Sequence, residues 1–299
     1  MTERNNRPQI REGYMDFCGY KTYYRIVGEC TGTKKPLLLL HGGPGSAHDA
    51  FEVLDPLAED GRAVIMYDQI GCGRSQAPGR RDLFNRYVWR DELIALREHL
   101  NLKELHLLGH SWGGMLLLDY VLGKQPEGLK SLILASPVPG VKFWSTEQRR
   151  MNLELPQEMQ DIIAEADRTG DYFSDAYQWA NAEYIRRHCC PDWPEDAPEC
   201  LKRPGNGYEA WLTSWGPTEF QTLGNLGDFE RIDDLKYIRQ PSLITSGVMD
   251  TCTPLIAKRI HDEIPGSRWE LFAHSRHMAF AEENGAYLRL LRDWMTKYD

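Results

Sequence analysis

Short apolar runs recur along the chain of 299 residues, and more polar segments with helical periodicity separate them. Runs of this length and composition are typical of strands that are buried on both faces of a sheet. Six of them lie at 36–41, 63–68, 104–110, 129–136, 241–247 and 268–273. Helical spacing of apolar residues predicts helices at 90–100, 254–264 and 284–298, and another directly after residue 111. Strands that alternate with helices predict a mostly parallel sheet with helices on both faces.

Two regions depart from this alternation. Near the start, two segments that alternate between apolar and polar residues predict an antiparallel pair joined at Cys18–Gly19. From about residue 138 to 228 the buried-strand pattern disappears, and helix-like segments rich in Trp, Tyr and Pro replace it. We therefore predict a sheet domain in two parts, 1–137 and 229–299, with a helical cap, 138–228, inserted between them. A cap of this kind commonly closes an active site; the alternative is a second structural domain with no role in substrate choice.

Composition argues against several classes of function. A net charge of −9 argues against nucleic acid as a partner, because phosphate binding needs a basic surface. The longest apolar stretches fall well short of the roughly 20 residues that span a bilayer, so no membrane is expected. The first residues lack the pattern of a secretory signal, and the seven cysteines are scattered, so we expect a cytoplasmic protein. The spacing of Cys189, Cys190 and Cys200 fits no zinc pattern, and neither a metal nor an organic cofactor is implied.

A single serine lies among glycines in the segment GHSWG at 109–113, which matches the pattern G-x-S-x-G. In a nucleophile elbow of this pattern, the serine occupies a strained turn between a strand and a helix. The context agrees, because a strand-like run precedes Ser111 and an apolar helical pattern follows it. Neighbouring chain should pass so close to Gly109 and Gly113 that side chains there would clash. We predict Ser111 as a nucleophile, the alternative being an ordinary turn.

A serine hydroxyl is a poor nucleophile unless a base removes its proton, and the base needs an acid that fixes its tautomer. In this topology both follow the serine in chain order, on loops after later strands, which predicts Asp250 as the acid and His277 as the base. The alternative for Asp250 is a helix N-cap, and Asp233 and Asp234 compete with it but precede their strand. His274 is the rival base, closer to the strand end. The other histidines predicted at surface or edge positions are His99, His106 and His261.

The glycine-rich segment HGGPGS at 41–46 follows the first buried run. Its glycines free the backbone to aim N–H groups at a bound oxygen, as in the oxyanion holes of acyl-transfer enzymes. We predict that one donor is the N–H of Gly43 and the other is the N–H of Trp112, the residue after the nucleophile. The alternative is that this segment is only a tight turn.

Five motifs together resemble the proline iminopeptidase branch of the α/β-hydrolases: HGGPG, YDQIGCGRS, GHSWGG, GPTEF and DTCTP. That branch includes the tricorn-interacting aminopeptidases and bacterial amino acid or proline amide hydrolases, and the resemblance covers nearly the whole chain. It implies the α/β-hydrolase fold, with a mostly parallel sheet of the eight-stranded type and an inserted helical cap. It also implies a serine hydrolase that cleaves the amide or peptide bond after a residue with a free amine, in a small molecule or a short peptide. The glutamate of GPTEF is Glu219, which the resemblance implies as the ligand of that amine.

One position departs from the family pattern. Members often carry a glutamate directly after the catalytic aspartate as a second amine ligand, whereas this chain has Thr251. A hydroxyl brings no charge, so the binding of an ammonium group should be weaker. Two other functions therefore stay open: an esterase of the same fold that needs no free amine, and a non-catalytic ligand-binding module. Aromatic residues of the cap that could line a pocket or form the cap core are Trp179, Trp211, Trp215 and Phe220.

Overall fold

The computed structural model describes residues 8–299, which contain one eight-stranded sheet. Its strands are β1 (Ile10–Phe17), β2 (Tyr20–Val27), β3 (Leu37–Leu40), β4 (Val64–Tyr67), β5 (Leu105–His110), β6 (Leu129–Ala135), β7 (Ser242–Gly247) and β8 (Arg268–Phe272). They lie in the order β1-β2-β4-β3-β5-β6-β7-β8, and β2 is antiparallel to both of its neighbours. The remaining pairs are parallel. The predicted fold class is confirmed.

Helices cover both faces of this sheet. They are α1 (Arg86–His99), α2 (Trp112–Lys124), α3 (Val141–Asn152), α4 (Gln157–Thr169), α5 (Asp175–His188), α6 (Tyr208–Ser214), α7 (Pro254–Glu263), α8 (Ala279–Glu282) and α9 (Asn284–Tyr298). A long 3-10 helix, Asp49–Asp60, follows β3. Between residues 8 and 299, no helix combines the length and the apolar character that crossing a membrane requires.

The four leucines of β3 show why the buried strands are apolar without interruption. Leu38 and Leu40 pack into the apolar core on one face of the sheet, together with Trp89 of α1. Leu37 and Leu39 pack into the core on the other face, which includes residues of the 3-10 helix and of α9. Each leucine is fully buried, and burial of such a side chain is worth about 1.5–3 kcal/mol.

The strand β8 differs from its prediction. The sequence predicts a strand that is buried on both faces, but only Phe272 of β8 is fully buried. The reason is its place in the sheet: β8 pairs with β7 alone and forms an edge. The opening hairpin is confirmed, with Phe17 paired to Tyr20 across the turn. The turn residues Cys18 and Gly19 both have positive φ, 50° and 79°, as two-residue hairpin turns of type I′ require.

Helices α3 to α6 all lie between β6 and β7, in the region that the sequence predicts as a cap. They have an apolar cluster of their own, separate from the two cores of the sheet, which includes Met159, Ile163 and Tyr184. An isolated backbone bridge between Gly140 and Glu230 joins the two ends of the region. The division at residues 138 and 228 stays a prediction.

Candidate active site

Ser111 occupies the turn between β5 and α2. Its backbone has φ 56° and ψ −121°, a conformation that residues other than glycine rarely adopt and that is typical of strained functional turns. Its N–H donates a hydrogen bond of 2.9 Å to the carbonyl oxygen of Ala135, the last residue of the neighbouring strand β6. The strand, turn and helix that the elbow motif requires are therefore all present.

The glycines on either side of Ser111 are sterically required. A Cβ on Gly109 would lie 2.5 Å from the carbonyl carbon of Gly113, and a Cβ on Gly113 would lie 2.7 Å from the carbonyl carbon of Leu40 and closer still to its oxygen. Real Cβ atoms do not approach backbone atoms so closely, and backbone within a sheet cannot move aside easily. The predicted clash at both glycines is confirmed.

The Asp250 and His277 side chains meet above the carboxyl ends of β7 and β8. Nδ1 of His277 lies 2.7 Å from Oδ1 of Asp250. Both oxygens of the buried carboxylate have further donors: the Cys252 N–H is 2.7 Å from Oδ1, and the Ser136 hydroxyl is 2.6 Å from Oδ2. These contacts satisfy both oxygens and fix the orientation of the carboxylate beside the imidazole.

The alternatives to these two residues lie elsewhere. His274 is exposed, and its backbone N–H donates to Glu283 at 2.9 Å. Asp233 and Asp234 lie in a 3-10 helix before β7, at the opposite end of that strand from Asp250. The helix α7 is capped not by Asp250 but by Thr253, whose side chain accepts a hydrogen bond from the third residue of the helix.

His110, the residue before the serine, contributes to the site although the sequence prediction omitted it. Its ring packs against the ring of His277, with 4.6 Å between the centroids. Its Nε2 donates to the backbone carbonyl of His277 at 2.9 Å. Burial, and after it the neighbouring His277, lower the pKa of His110 well below its usual value. His110 is therefore a neutral residue that holds the loop of His277.

The two predicted oxyanion donors lie next to Ser111. Trp112 is the first residue of α2, so its N–H has no carbonyl partner within its own helix. Its indole Nε1 donates to Oε1 of Gln69 at 2.7 Å, which fixes the residue from the side. Gly43 lines the same cavity as Ser111, and its φ of 112° is accessible to glycine. This arrangement suits both assignments, which stay predictions.

The loop with the sequence YDQIGCGRS fastens the glycine-rich loop in place. Oδ1 of the buried Asp68 accepts hydrogen bonds from the backbone N–H of His48 at 2.8 Å and from its Nδ1 at 2.7 Å. Oδ2 of Asp68 accepts from the N–H of Arg74 at 2.7 Å. Gln69 then donates from its side chain to the carbonyl oxygen of His41, at the start of the glycine-rich loop.

Ser111 and His277 open into a cavity of about 220 Å³ between the sheet and the cap. Apolar side chains form most of its wall, namely Phe51, Val138, Trp144, Ile185, Trp215 and Phe280. Of the described residues that line it, only Glu219 carries a carboxyl group, and the basic ones are all histidines. A substrate in this cavity thus meets one acidic side chain.

Comparison with known proteins agrees with this geometry. A family model described as the alpha/beta hydrolase fold matches residues 35–284. A proline iminopeptidase of Clostridium botulinum is 56% identical over 292 residues, which are 97% of this chain and 100% of that protein. The chain belongs to the α/β-hydrolase family. The resemblance to its proline iminopeptidase branch, predicted from the motifs, is confirmed.

Two solved structures extend this result for the present α/β-hydrolase. The proline iminopeptidase of Mycobacterium smegmatis is 28% identical, with a TM-score of 0.85 over 96% of this chain and 98% of that one. The structure named VinJ is 31% identical, with a TM-score of 0.88 over 97% and 99% of the two chains. The fold is thus shared with these two proteins over nearly the whole length of both chains.

Glu219 of this hydrolase faces the cavity without a charged partner close enough to offset its burial. Burial raises the pKa of its carboxyl above the usual value, and the positive charge of His277 opposes this shift in part. A desolvated carboxylate of this kind gains more from an incoming cation than one that water already solvates.

Thr251 lines the same cavity, but its hydroxyl is bound to the cap. It lies 2.8 Å from the hydroxyl of Tyr184 on α5 and 3.2 Å from Oε1 of Gln148 on α3. The side-chain amide of Gln148 also donates to the carbonyl oxygen of Thr251 at 2.9 Å. Thr251 therefore joins the loop of Asp250 to the cap. Its side chain is buried between the two.

The cap aromatics and cysteines divide between cavity and core. Trp215 lines the cavity, Phe220 lies in the apolar cluster of the cap, and Trp211 is partly buried against the core of the sheet. Trp179 is 48% exposed and belongs neither to the lining of the cavity nor to an apolar cluster. The cysteines of the described residues are free thiols, and two of them, Cys189 and Cys190, line the cavity.

Within residues 8–299, two groups of side chains have metal-ligand chemistry. One consists of Asp250, Cys252 and His277, with ligand atoms within 4.8 Å of one another, and the other of His48, Asp49 and Glu52. In the first group the carboxylate and the imidazole already bind each other. In the second, Arg203 supplies the positive charge, at 2.7 Å from Asp49. Neither group suggests a resident ion.

Proposed function

We propose that this protein is a serine aminopeptidase of the proline iminopeptidase type, which hydrolyses the amide or peptide bond after an N-terminal residue with a free amine. The observation that carries the proposal is that one carboxyl group, Glu219, faces the cavity into which Ser111 and His277 open. Relatives named proline iminopeptidase, 56% and 47% identical over nearly the whole chain, confirm the predicted class, a serine hydrolase with aminopeptidase activity.

The proposed mechanism follows from the arrangement of Asp250, His277 and Ser111. His277, oriented by Asp250, accepts the proton of the Ser111 hydroxyl while the serine oxygen attacks the scissile carbonyl carbon. The oxyanion that forms accepts hydrogen bonds from the N–H groups of Gly43 and Trp112. The C–N bond then breaks, and His277 gives its proton to the leaving amine. Water, deprotonated by His277, finally hydrolyses the acyl-enzyme and frees Ser111.

The shape of the cavity favours removal of a single residue. Its volume of about 220 Å³ lies below the ~300–1,000 Å³ of typical small-molecule sites, so it has room for one amino acid rather than for a peptide. Its apolar wall suits an aliphatic side chain or a proline ring. The ammonium group of the substrate pairs with Glu219, and a blocked amine leaves that carboxylate buried and unpaired, which is costly.

The test compares proline amide and leucine amide with their N-acetylated forms, using wild type and Glu219→Gln. Wild type should cleave the free amides only. The variant should lose roughly 10- to 100-fold in kcat/KM on free amides, the equivalent of one charge-assisted hydrogen bond of ~1.5–3 kcal/mol. Glu158→Gln, an exposed residue of the cap helix α4, is the matched control and should behave as wild type. Equal rates on free and acetylated amides would remove the role of Glu219.

An esterase of the same fold is the second candidate, and the hydrogen bonding of Thr251 favours it. Position 251 carries no charge, and its hydroxyl is already bonded to Tyr184 and Gln148, so Thr251 does not help Glu219 to bind an ammonium group. Hydrolysis of short acyl esters without hydrolysis of any amide would support the esterase. A failure of Ser111 to react with a fluorophosphonate probe would instead support a non-catalytic binding module.

A further inference from the structure

A short segment of the cap, residues 203–209, contacts several separate parts of the sheet domain, and we call it the strap. Nη1 of Arg203 lies 2.7 Å from Oδ1 of Asp49, at the start of the long 3-10 helix. Nδ2 of Asn206 donates to the carbonyl oxygen of Gly73 at 2.9 Å, in the loop that fastens the glycine-rich segment. The strap therefore lies across the loops that surround the predicted oxyanion hole.

The central contact of the strap is between two glycine backbones. The N–H of Gly207 donates to the carbonyl oxygen of Gly45 at 3.1 Å. A Cβ on Gly207 would lie 2.6 Å from Cα of Gly45, and a Cβ on Gly45 would lie 2.5 Å from the carbonyl oxygen of Gly207. Neither residue can carry a side chain without moving the other. The close approach thus requires glycine on both sides, in the cap and in the sheet domain.

Gly45 is coupled to the predicted oxyanion donor by a tight turn. A Cβ on Gly43 would lie 2.5 Å from the backbone nitrogen of Gly45 and 2.7 Å from that of Ser46, so these residues pack directly on one another. A shift of Gly45 must therefore shift Gly43, or rotate the peptide that carries its N–H. Donors of this kind act through preorganisation, and loss of one costs about 10²–10³ in kcat.

We propose that the strap positions the oxyanion hole, with Gly207 as a positioning residue that fixes Gly45 and through it the N–H of Gly43. This inference rests on the proposed function, because it requires Gly43 to bind the oxyanion. The helix α6 starts at the strap and ends beside Trp215, which lines the cavity. The same part of the cap therefore lines the cavity at one end and contacts the glycine-rich loop at the other.

The test is the substitution Gly207→Ala, with Gly205→Ala as the matched control. The alanine at 207 must push Gly45 away, whereas a Cβ at 205 finds its nearest neighbour, the carbonyl oxygen of Gly45, at 3.9 Å. With proline amide as substrate, Gly207→Ala should lower kcat about 10- to 100-fold and leave KM within threefold, because the oxyanion exists in the transition state and not in the bound substrate. Gly205→Ala should match wild type in both.

A second measurement separates a positioning role from a general loss of structure. The aldehyde analogue of proline forms a hemiacetal with Ser111, whose oxygen takes the place of the oxyanion, whereas free proline only occupies the cavity. In Gly207→Ala the inhibition constant of the aldehyde should rise by about the factor by which kcat falls, and that of free proline should stay unchanged. Equal weakening of both inhibitors would overturn the proposal.

The outcomes separate the strap from the proposed function. If wild type does not cleave proline amide, the proposed function fails before the strap is tested. If wild type is active and Gly207→Ala retains full kcat, the strap proposal fails alone. Should Gly207→Ala not fold, the double variant Arg203→Met with Asn206→Ala loosens the strap without adding an atom, and kcat should fall measurably. Lys202→Met, which removes a contact within the cap, is its control, and equal kcat in the two would overturn the proposal.

Discussion

The hydroxyl of Ser136 donates a hydrogen bond of 2.6 Å to Oδ2 of Asp250. The other carboxylate oxygen, Oδ1, binds His277, so the serine solvates the side of the buried carboxylate that faces away from the imidazole. Ser136 is the residue directly after β6 and has a positive φ of 48°. It holds the acid of the proposed triad from the neighbouring strand.

We predict that Ser136→Ala lowers kcat/KM about 10- to 100-fold, because a hydrogen bond to a charged group is worth ~1.5–3 kcal/mol. The control is Ser131→Ala, on the strand β6 that precedes Ser136, because the hydroxyl of Ser131 contacts His106 and Trp294 instead. Ser131→Ala should affect thermal stability and leave kcat/KM unchanged. An unchanged kcat/KM in Ser136→Ala would contradict the assignment.

His277 and His274 are both histidines of the segment that follows β8. Substitution of each in turn therefore tests which of them is the base. His277→Gln should reduce kcat/KM by at least about 10⁴-fold, because removal of a triad member leaves only the oxyanion hole and binding. His274→Gln should stay within twofold of wild type, since that residue is exposed. Kinetics on proline amide with both purified variants measures this. The reverse pattern would show that the wrong histidine was chosen.

The packing of the elbow predicts different effects for two glycines of the helix α2. Gly113→Ala forces a methyl group against the backbone of Leu40, and overpacking of this kind typically costs about 1–3 kcal/mol. Gly123→Ala, at an exposed position near the end of α2, meets only Nη1 of Arg90 at 3.3 Å, an atom that is bound to Asp119 at 3.0 Å. The gain in helix propensity of up to ~1 kcal/mol is therefore offset in part, and the change should be close to neutral. The midpoints of thermal unfolding of the two variants measure this difference in stability. Equal midpoints would mean that the backbone of Leu40 can move aside for the methyl group.

The parts of the fold that the sequence predicts correctly are those in which burial sets composition. The runs of β3, β5 and β7 are apolar because both of their faces are covered, so their sequence reports their place directly. The edge strand β8 has a similar apolar appearance but a different environment, which depends on strand order. His106 shows the same limit: the sequence predicts a surface or edge position, yet it is fully buried and bonded to Ser131 and Asp299.

In the site, the sequence identifies residues that a local motif or chain order specifies. Ser111 follows from its glycines, and Asp250 and His277 follow from the loops after later strands. Ser136 and His110 were missed because their roles depend on which loops become neighbours and on where their side chains point. The position of Ser136 at the end of the strand beside β7 could have identified it once the strand order was known.

The buried carboxyl group of Glu92 links the loop that contains Gln69 to the first strands. Oε1 accepts from the hydroxyl of Thr22 at 2.5 Å, and Oε2 accepts from the N–H of Ile70 at 3.0 Å. Burial raises the pKa of Glu92 to about 8, although both hydrogen bonds oppose the shift. The folded protein therefore holds a proton on this group at pH values at which the unfolded chain has released it.

The sign of the resulting pH dependence follows from linkage. With a pKa near 4.5 in the unfolded chain and about 8 in the folded one, the contribution of Glu92 to stability is fully present below pH 4.5 and is lost as pH rises through 8, at up to ~1.4 kcal/mol per pH unit. Glu92→Gln does not titrate, so we predict that its free energy of unfolding relative to wild type rises between pH 5 and pH 9. Urea unfolding at several pH values measures this difference, with the exposed Glu98→Gln on the same helix as control. If wild type and Glu92→Gln lose stability in parallel over that range, the carboxyl group of Glu92 is already ionised in the folded protein.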